Sequence, residues 1–170
     1  ELEMLKKNNK QQDSIIYKSQ QMKHILSMVE KVANVDSNVL LTGESGVGKS
    51  LLAETIHKMS SRKNNNFVSI NCGAIPEFLL ESELFGYEKG AFTGASKDGK
   101  LGLVQLASEG TLFLDEISEM PIQMQVKLLK VINEKKFTRV GGTKTITTDF
   151  RVIAATNRDL NKMVKEGKFR

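Results

Sequence analysis

Apolar residues occur along this chain in two alternating patterns, one with helical spacing and one of short unbroken runs. From Ser19 onward they fall at i, i+3, i+4 and i+7, the spacing of one face of an amphipathic helix. Short apolar runs predict buried strands over 38–42, 67–71, 111–115 and 150–155. Because helices alternate with these strands, the pattern predicts an α/β fold with a parallel sheet covered on both faces.

Three further segments have patterns of their own. A helix is expected over 121–133, with Ile122, Val126, Leu129 and Ile132 facing inward. Two short β-prone runs flank Gly141-Gly142 and predict a hairpin over 137–148. Residues 86–100 are rich in glycine and have no clear period, which indicates a long loop.

The composition indicates how many domains the chain forms and in which cellular compartment it is expected. With 170 residues, 39% of them hydrophobic, the chain is expected to form one domain over 15–170, preceded by a polar linker or helix tail over 1–14. No apolar run approaches the ~20 residues of a membrane span. The single cysteine, Cys72, cannot form an internal disulfide and is expected to be a small buried core residue, so a cytoplasmic setting is favoured.

The formal net charge of +5 leaves two interpretations open. It is compatible with a nucleic-acid partner or an anionic small ligand. It is equally what a solvated surface with additional lysines would give, and the lysines are scattered along the sequence. The charge alone therefore does not indicate that this segment binds DNA.

The motif G-x-x-x-x-G-K-[ST] lies between a predicted strand and a predicted helix. Glycines at these positions let backbone N–H groups surround a phosphate, and the following helix presents its positive end. The lysine supplies a charge to the outer phosphates and the hydroxyl can bind Mg²⁺. The candidate ATP-binding residues are Gly43, Glu44, Ser45, Gly46, Val47, Gly48, Lys49 and Ser50.

Two carboxylates follow the apolar strand over 111–115, where ligands bind in open α/β sheets. Asp115 is suited to hold Mg²⁺ together with Ser50, and Glu116 to orient or deprotonate an attacking water. The alternative is that the two acids only cap the next helix.

Asn157 follows the last predicted strand in Ala-Ala-Thr-Asn. Its amide could read the γ-phosphate or fix the water. An asparagine at a strand end is also a common turn residue, and this alternative stays open.

These motifs in their order resemble a known family. The set comprises Gly43 to Ser50, the run from Glu83 to Ala95 (ELFGYEKGAFTGA), the run from Gly110 to Glu116 and the run from Ala154 to Asn157. It is similar to the AAA+ domain of the sigma-54-dependent transcriptional activators, the bacterial enhancer-binding proteins. The resemblance implies a P-loop NTPase fold, an α/β/α sandwich with a central parallel sheet, and it covers residues from about 15 to 170.

The resemblance assigns one segment to a protein partner. In the family this segment is the tip of a mobile loop that contacts the sigma-54 factor, and Phe92 and Thr93 are the expected contact residues. An exposed aromatic between glycines is a plausible anchor. Without the resemblance, Phe92 could equally tuck under its own loop. The segment consists of Gly90, Ala91, Phe92, Thr93, Gly94 and Ala95.

The resemblance also implies four further roles. Asn71 would hold the catalytic Glu116 in an inactive orientation, which an amide at a neighbouring strand end can do by hydrogen bonding. Arg170 would be the arginine finger that reaches the nucleotide of a neighbouring subunit in a ring, often a hexamer. Ile16, beside Ile15, would line the adenine pocket. Together with Asn157, Asn71 would relay the γ-phosphate state to the loop.

The sequence therefore predicts an ATP-hydrolysing motor domain that remodels the sigma-54 RNA polymerase holoenzyme to activate transcription, with ATP and Mg²⁺ as ligands. Two alternatives are a P-loop ATPase acting on another protein or nucleic acid, and a nucleotide-binding interaction module without useful hydrolysis. By the resemblance, the chain is truncated before a fifth strand and a helical lid, and DNA binding belongs to a domain outside it. An uncovered sheet edge at the P-loop strand, weak nucleotide binding and poor hydrolysis by these residues alone are expected.

Overall fold

The computed structural model describes residues 19–94, 96 and 98–170. The interpretation of residues 1–14 as a linker, the assignment of Ile16 to an adenine pocket and the inclusion of Ala95 in the partner loop lie outside these residues. They remain predictions.

Six helices and eight strands form the described part of the chain. The helices are α1 (Gln20–Ala33), α2 (Lys49–Met59), α3 (Glu77–Phe85), α4 (Leu103–Leu106), α5 (Ile122–Glu134) and α6 (Leu160–Lys165), with a 3-10 turn over Ile117–Glu119. The strands are β1 (Val39–Thr42), β2 (Phe67–Asn71), β3 (Gly86–Tyr87), β4 (Lys100–Leu101), β5 (Thr111–Asp115), β6 (Lys136–Thr138), β7 (Thr145–Thr147) and β8 (Arg151–Thr156).

The central sheet has four strands in the order β1-β8-β5-β2, and every neighbouring pair is parallel. These are the four strands expected from the apolar runs, so the α/β fold class with a parallel sheet is confirmed. Within the described residues β1 is an edge strand, and its Leu40 is 50% exposed. All four strands point the same way, so the residues that follow them lie at one edge of the sheet.

Alternate residues of the two central strands face opposite layers of helices. On one face, Phe113 and Ile153 pack with α1 and α2 through residues such as Val29 and Ile56. On the other face, Leu112 and Leu114 pack with α3, α4 and α5. The sheet is therefore the middle layer of a three-layer sandwich.

The expected inward face of α5 is wrong for three of its four residues, whereas Ile132 is partly buried and packs against the core. Ile122, Val126 and Leu129 are 38%, 41% and 49% exposed, whereas the residues of α5 that the structure buries are Met124, Gln125, Leu128 and Val131. Both sets have helical spacing, so the sequence pattern could not choose between them. The buried amide of Gln125 donates to the carbonyl of Met120 at 2.7 Å, which makes a polar residue compatible with the core.

Two antiparallel hairpins extend the sandwich. The pair β6–β7 is the hairpin expected around Gly141-Gly142. The segment over 86–100, expected to be a loop throughout, contains the short pair β3–β4. The hairpins contact each other, because the Val140 N–H donates to the Gly86 carbonyl at 2.9 Å and the Glu88 N–H donates to the Val140 carbonyl at 3.0 Å.

Among the described residues, the helices are too short or too polar to span a bilayer.

Candidate functional site

The loop between β1 and α2 follows a path that depends on glycine. Gly46 and Gly48 have φ angles of +81° and +91°, a region that residues with a side chain rarely adopt. Gly48 immediately precedes α2, and the Leu52 N–H donates to its carbonyl at 3.0 Å. The loop therefore leads straight into a helix N-terminus, whose free N–H groups and dipole favour an anion.

Lys49 lies at the first position of α2 with its charge directed back over the loop. Its ammonium group donates to the carbonyl of Gly43 at 2.9 Å and to the carbonyl of Glu44 at 2.7 Å. Both acceptors are neutral backbone groups, so a phosphate oxygen would be a stronger partner for this cation.

A cavity of about 210 Å³ brings the three motifs together. It lies at the carboxyl edge of the sheet, where β1, β5 and β8 end. Of the predicted nucleotide-binding residues, Gly43, Glu44 and Val47 belong to the loop without lining the cavity. The lining residues are Ser45, Gly46, Gly48, Lys49, Ser50, Asp115, Glu116 and Asn157.

Ser50 and Asp115 meet across this cavity. The Ser50 hydroxyl lies 3.4 Å from Oδ2 of Asp115, and the other carboxylate oxygen accepts the N–H of Glu116 at 3.0 Å. A hydroxyl and a carboxylate oxygen are ligands that suit Mg²⁺, which takes one or two protein oxygens and completes its shell with water and phosphate. The donor set therefore fits the metal that the sequence analysis assigned to these residues.

Glu116 adopts a backbone conformation that few residues with a side chain adopt. Its φ and ψ are 52° and 46°, in the left-handed region. Such a conformation costs about 1–3 kcal/mol and is often found at functional sites. Although Glu116 precedes the 3-10 turn, its side chain makes no capping hydrogen bond there.

Asn71 lies where the sequence places it, at the carboxyl end of β2 and in register with Asp115. Its side-chain oxygen accepts the N–H groups of Gly73 and Ala74 at 2.8 and 3.0 Å. Within the described residues no hydrogen bond joins the side chains of Asn71 and Glu116. Asn71 instead shapes the turn against which Glu116 lies, since a Cβ at Gly73 would be only 2.6 Å from Oε2 of Glu116.

Asn157 is connected to the segment after Glu116 by contacts that no sequence motif indicated. The buried hydroxyls of Thr156 and Ser118 are 3.1 Å apart, and Arg158 forms a 2.8 Å ion pair with Glu119. These contacts fasten the end of β8 to the 3-10 turn. The motif Ala-Ala-Thr-Asn contained Thr156, but sequence alone gave no signal for its partner.

Cys72 is buried beside the site, at 3% exposure, as expected for a core residue. Burial, with a smaller contribution from the charge of Asp115, raises the pKa of its thiol to about 12. The thiol is therefore protonated at neutral pH and does not act as a nucleophile.

The segment over 90–94, for which the sequence predicts a partner contact, is separate in sequence from the residues that line the cavity. Gly90 and Gly94 have φ angles of +74° and +93°. Between them the Phe92 ring is 43% exposed and stands edge-on to Tyr87, with ring centroids 5.0 Å apart. The Phe92 side chain is thus partly exposed and partly covered by Tyr87.

Arg170 does not line the phosphate cavity. Its N–H donates to Oε1 of Gln125 at 3.0 Å, and together with Phe169 it borders a separate apolar cavity of about 300 Å³ next to β1. Its role as an arginine finger stays a prediction, because that role concerns the nucleotide of another subunit.

Comparison with protein families gives a match over residues 15–170 to the family described as the sigma-54 interaction domain. A signal-transduction and transcriptional-control protein of Clostridium beijerinckii is 54% identical over 93% of this chain. The regulatory protein AtoC of Escherichia coli (strain K12) is 54% identical over 92% of it. The chain spans only 25% and 34% of the lengths of these two relatives.

Solved structures agree with this similarity. NtrX from Brucella abortus in complex with ATP superposes with a TM-score of 0.83 at 38% identity, covering 92% of this chain and 33% of NtrX. The NtrX complex with ADP gives a TM-score of 0.85 at 38% identity, covering 99% and 36%. The P-loop NTPase domain of an E. coli sigma-54 activator, at 16% identity and a TM-score of 0.55, supports the fold alone.

Proposed function

The chain belongs to the family of sigma-54 interaction domains, and we propose that it is an ATP-hydrolysing motor domain that remodels the sigma-54 RNA polymerase holoenzyme to activate transcription. The observation that carries this proposal is the cavity in which Lys49 and Ser50 face Asp115, Glu116 and Asn157. A cation, a hydroxyl, two carboxylates and an amide are the groups that phosphoryl transfer to water requires.

Binding of the nucleotide is assigned to the glycine loop and the start of α2. The backbone N–H groups around Gly46 and Gly48 surround the phosphates, and Lys49 exchanges its two carbonyl partners for phosphate oxygens. Two similar structures, of NtrX, are described as complexes with ATP and with ADP, which supports a nucleotide in the same place here.

The residues around the phosphate divide the chemistry between them. Ser50 and Asp115 would hold Mg²⁺, which when bound neutralises charge on the β- and γ-phosphates. Glu116, which lines the cavity, accepts a proton from the attacking water. Asn157 donates its amide to the γ-phosphate or the water. Because Thr156 and Ser118 join the segments that carry Asn157 and Glu116, the two residues can respond together to the nucleotide state.

The partner is assigned to the loop that carries Phe92 and Thr93. An aromatic side chain that is 43% exposed on a glycine-flanked loop suits a protein anchor. In the complete protein the domain would form a ring of identical subunits, often a hexamer, with Arg170 reaching toward the neighbour's nucleotide. The cytoplasmic setting and DNA binding through another domain remain part of this proposal.

The experiment distinguishes the proposed contact with sigma-54 from the proposed hydrolysis of ATP. In the full-length protein, Phe92→Ala combined with Thr93→Ala should abolish sigma-54-dependent transcription while ATP binding and basal ATPase activity persist. Phe78→Ala is a matched control, since this aromatic is 81% exposed and lies on α3, outside the segment over 90–95. Retained activation by the double variant would show that the loop is not the partner contact.

A further inference from the structure

One side chain, that of Tyr87, contacts Phe92 within the segment over 90–95 and Ser96 directly after it. Its ring meets the edge of the Phe92 ring at a centroid distance of 5.0 Å and an interplanar angle of 62°. Its hydroxyl oxygen accepts the N–H of Ser96 at 3.3 Å. An edge-on arrangement at this distance is a favourable geometry for two aromatic rings.

Tyr87 itself is fixed to the body of the domain. It pairs with Lys100 in the β3–β4 hairpin and forms a bridge with Val140 of the second hairpin. The N–H of the next residue, Glu88, donates to the Val140 carbonyl at 3.0 Å. Tyr87 is therefore an anchored surface against which the loop rests.

On one side Phe92 follows Ala91, whose N–H donates to the Glu88 carbonyl at 3.1 Å and whose Cβ would lie 2.8 Å from a Cβ added at Gly141. Gly90 and Gly94 lie on either side of Phe92, both with positive φ, and a Cβ added at either position would meet no atom within 4 Å. Glycines in open space place few limits on the backbone. Ala91 therefore holds the backbone on one side of Phe92, and the contact with Tyr87 holds the Phe92 ring itself.

We infer that Tyr87 is a positioning residue that holds Phe92 against the domain and so sets the fraction of molecules in which the ring is free to engage a protein partner. The inference rests on the proposed function of the loop. Engaging the partner means exchanging the Tyr87 contact for a contact on sigma-54, so Tyr87 competes with the partner for the Phe92 ring. Such an aromatic pair shifts an equilibrium by about two- to tenfold.

The experiment uses the full-length protein with Tyr87→Ala and Tyr87→Leu, the second retaining apolar bulk without an aromatic ring. The first measurement is amide hydrogen exchange over residues 88–96 without partner, and exchange is expected to be about two- to tenfold faster in both variants. The second is affinity for isolated sigma-54, which should rise by the same factor while kcat and KM for ATP without partner are unchanged. Tyr87→Phe keeps the ring and should accelerate exchange of the Ser96 amide alone.

Two results would overturn the inference. Unchanged exchange in both Tyr87→Ala and Tyr87→Leu would mean that Tyr87 does not restrain the loop. A loss of sigma-54 affinity as large as that of Phe92→Ala would make Tyr87 a partner contact and not a competitor. Phe92→Ala serves as the test of the premise: if it leaves sigma-54 affinity intact, the proposed function of the loop fails, whereas the exchange rates still decide whether Tyr87 restrains it.

Discussion

The hydroxyl of Ser50 lies 3.4 Å from Oδ2 of Asp115, although 65 positions separate the two residues in the chain. Ser50 lies in the first turn of α2 and Asp115 at the end of β5. Both reach the same edge of the sheet because its strands are parallel. The distance identifies the two oxygens that we expect to share a Mg²⁺ ion.

Replacing either Ser50 or Asp115 should weaken the binding of Mg²⁺ more than the binding of the nucleotide. In Ser50→Ala and Asp115→Asn, the Mg²⁺ concentration that gives half-maximal ATPase activity should rise, and kcat should fall by about 100-fold, since a bound metal contributes several kcal/mol. Titration of activity with Mg²⁺ measures both. Ser45→Ala removes a hydroxyl from the same cavity and should leave the Mg²⁺ requirement unchanged. An unaltered requirement in Ser50→Ala and Asp115→Asn would place the metal elsewhere.

Replacing Glu116 should separate hydrolysis from binding. Glu116→Ala is expected to lower kcat by about 100- to 10,000-fold, the usual contribution of a general base, with ATP affinity nearly unchanged. Single-turnover hydrolysis and equilibrium binding of labelled ATP give the two quantities. Glu119→Gln is the neighbouring control, because Glu119 pairs with Arg158 and does not line the cavity. Equal turnover in Glu116→Ala and the wild type would favour a nucleotide-binding module without useful hydrolysis.

The sequence predicted the four central strands and the three motifs at their ends, because apolar runs and glycine spacing are local signals. It could not choose the face of α5, since Met124 and Leu128, at i and i+4, and Val126 and Leu129, at i and i+3, both have helical spacing. The left-handed backbone of Glu116 and the contact between the two hairpins are set by tertiary packing, so no periodicity in the sequence indicates them. The missed helices α4 and α6 span only four and six residues, too short for a periodicity to show.

Arg62 joins three connecting segments at the edge of the sheet opposite the site. Its guanidinium donates to both carboxylate oxygens of Asp36 at 2.8 and 2.7 Å and to Asp149 at 2.7 Å. Arg62→Met should lower the free energy of unfolding by about 1–2 kcal/mol, which allows for the partial exposure of both acids. Urea unfolding measures the change. Lys58→Ala is the control and removes the ion pair between the exposed side chains of Lys58 and Glu54 on α2. It should lower the free energy of unfolding by less than half as much as Arg62→Met. Equal losses in the two variants would mean that Arg62 acts as an ordinary surface charge.

The same cluster should make stability sensitive to acid. Hydrogen bonds from Arg62 hold the pKa values of Asp36 and Asp149 below their usual value of 3.8. The stabilisation is therefore complete above the unfolded pKa and is lost as pH falls through the lower folded values. Unfolding free energies measured from pH 5 downward should fall less steeply in Arg62→Met than in the wild type. Parallel curves would show that Arg62 does not set these pKa values.

His57 should give a second, separate pH dependence. It is 5% exposed, and its Nδ1 lies 2.9 Å from the Thr111 hydroxyl. Burial lowers the pKa of the imidazole below 6.5, so below about pH 6.5 the unfolded chain binds a proton that the folded chain does not. The contribution of His57 to stability should therefore decrease from pH 7 to the folded pKa and then level off, and melting temperatures measured above pH 5, before the effect of Asp36 and Asp149 begins, should show the decrease. His57→Gln should abolish this dependence of the melting temperature on pH, even if the variant is less stable at every pH. His24→Gln, which changes an exposed histidine of α1, should retain it. A slope that persists in His57→Gln would assign the titration to another group.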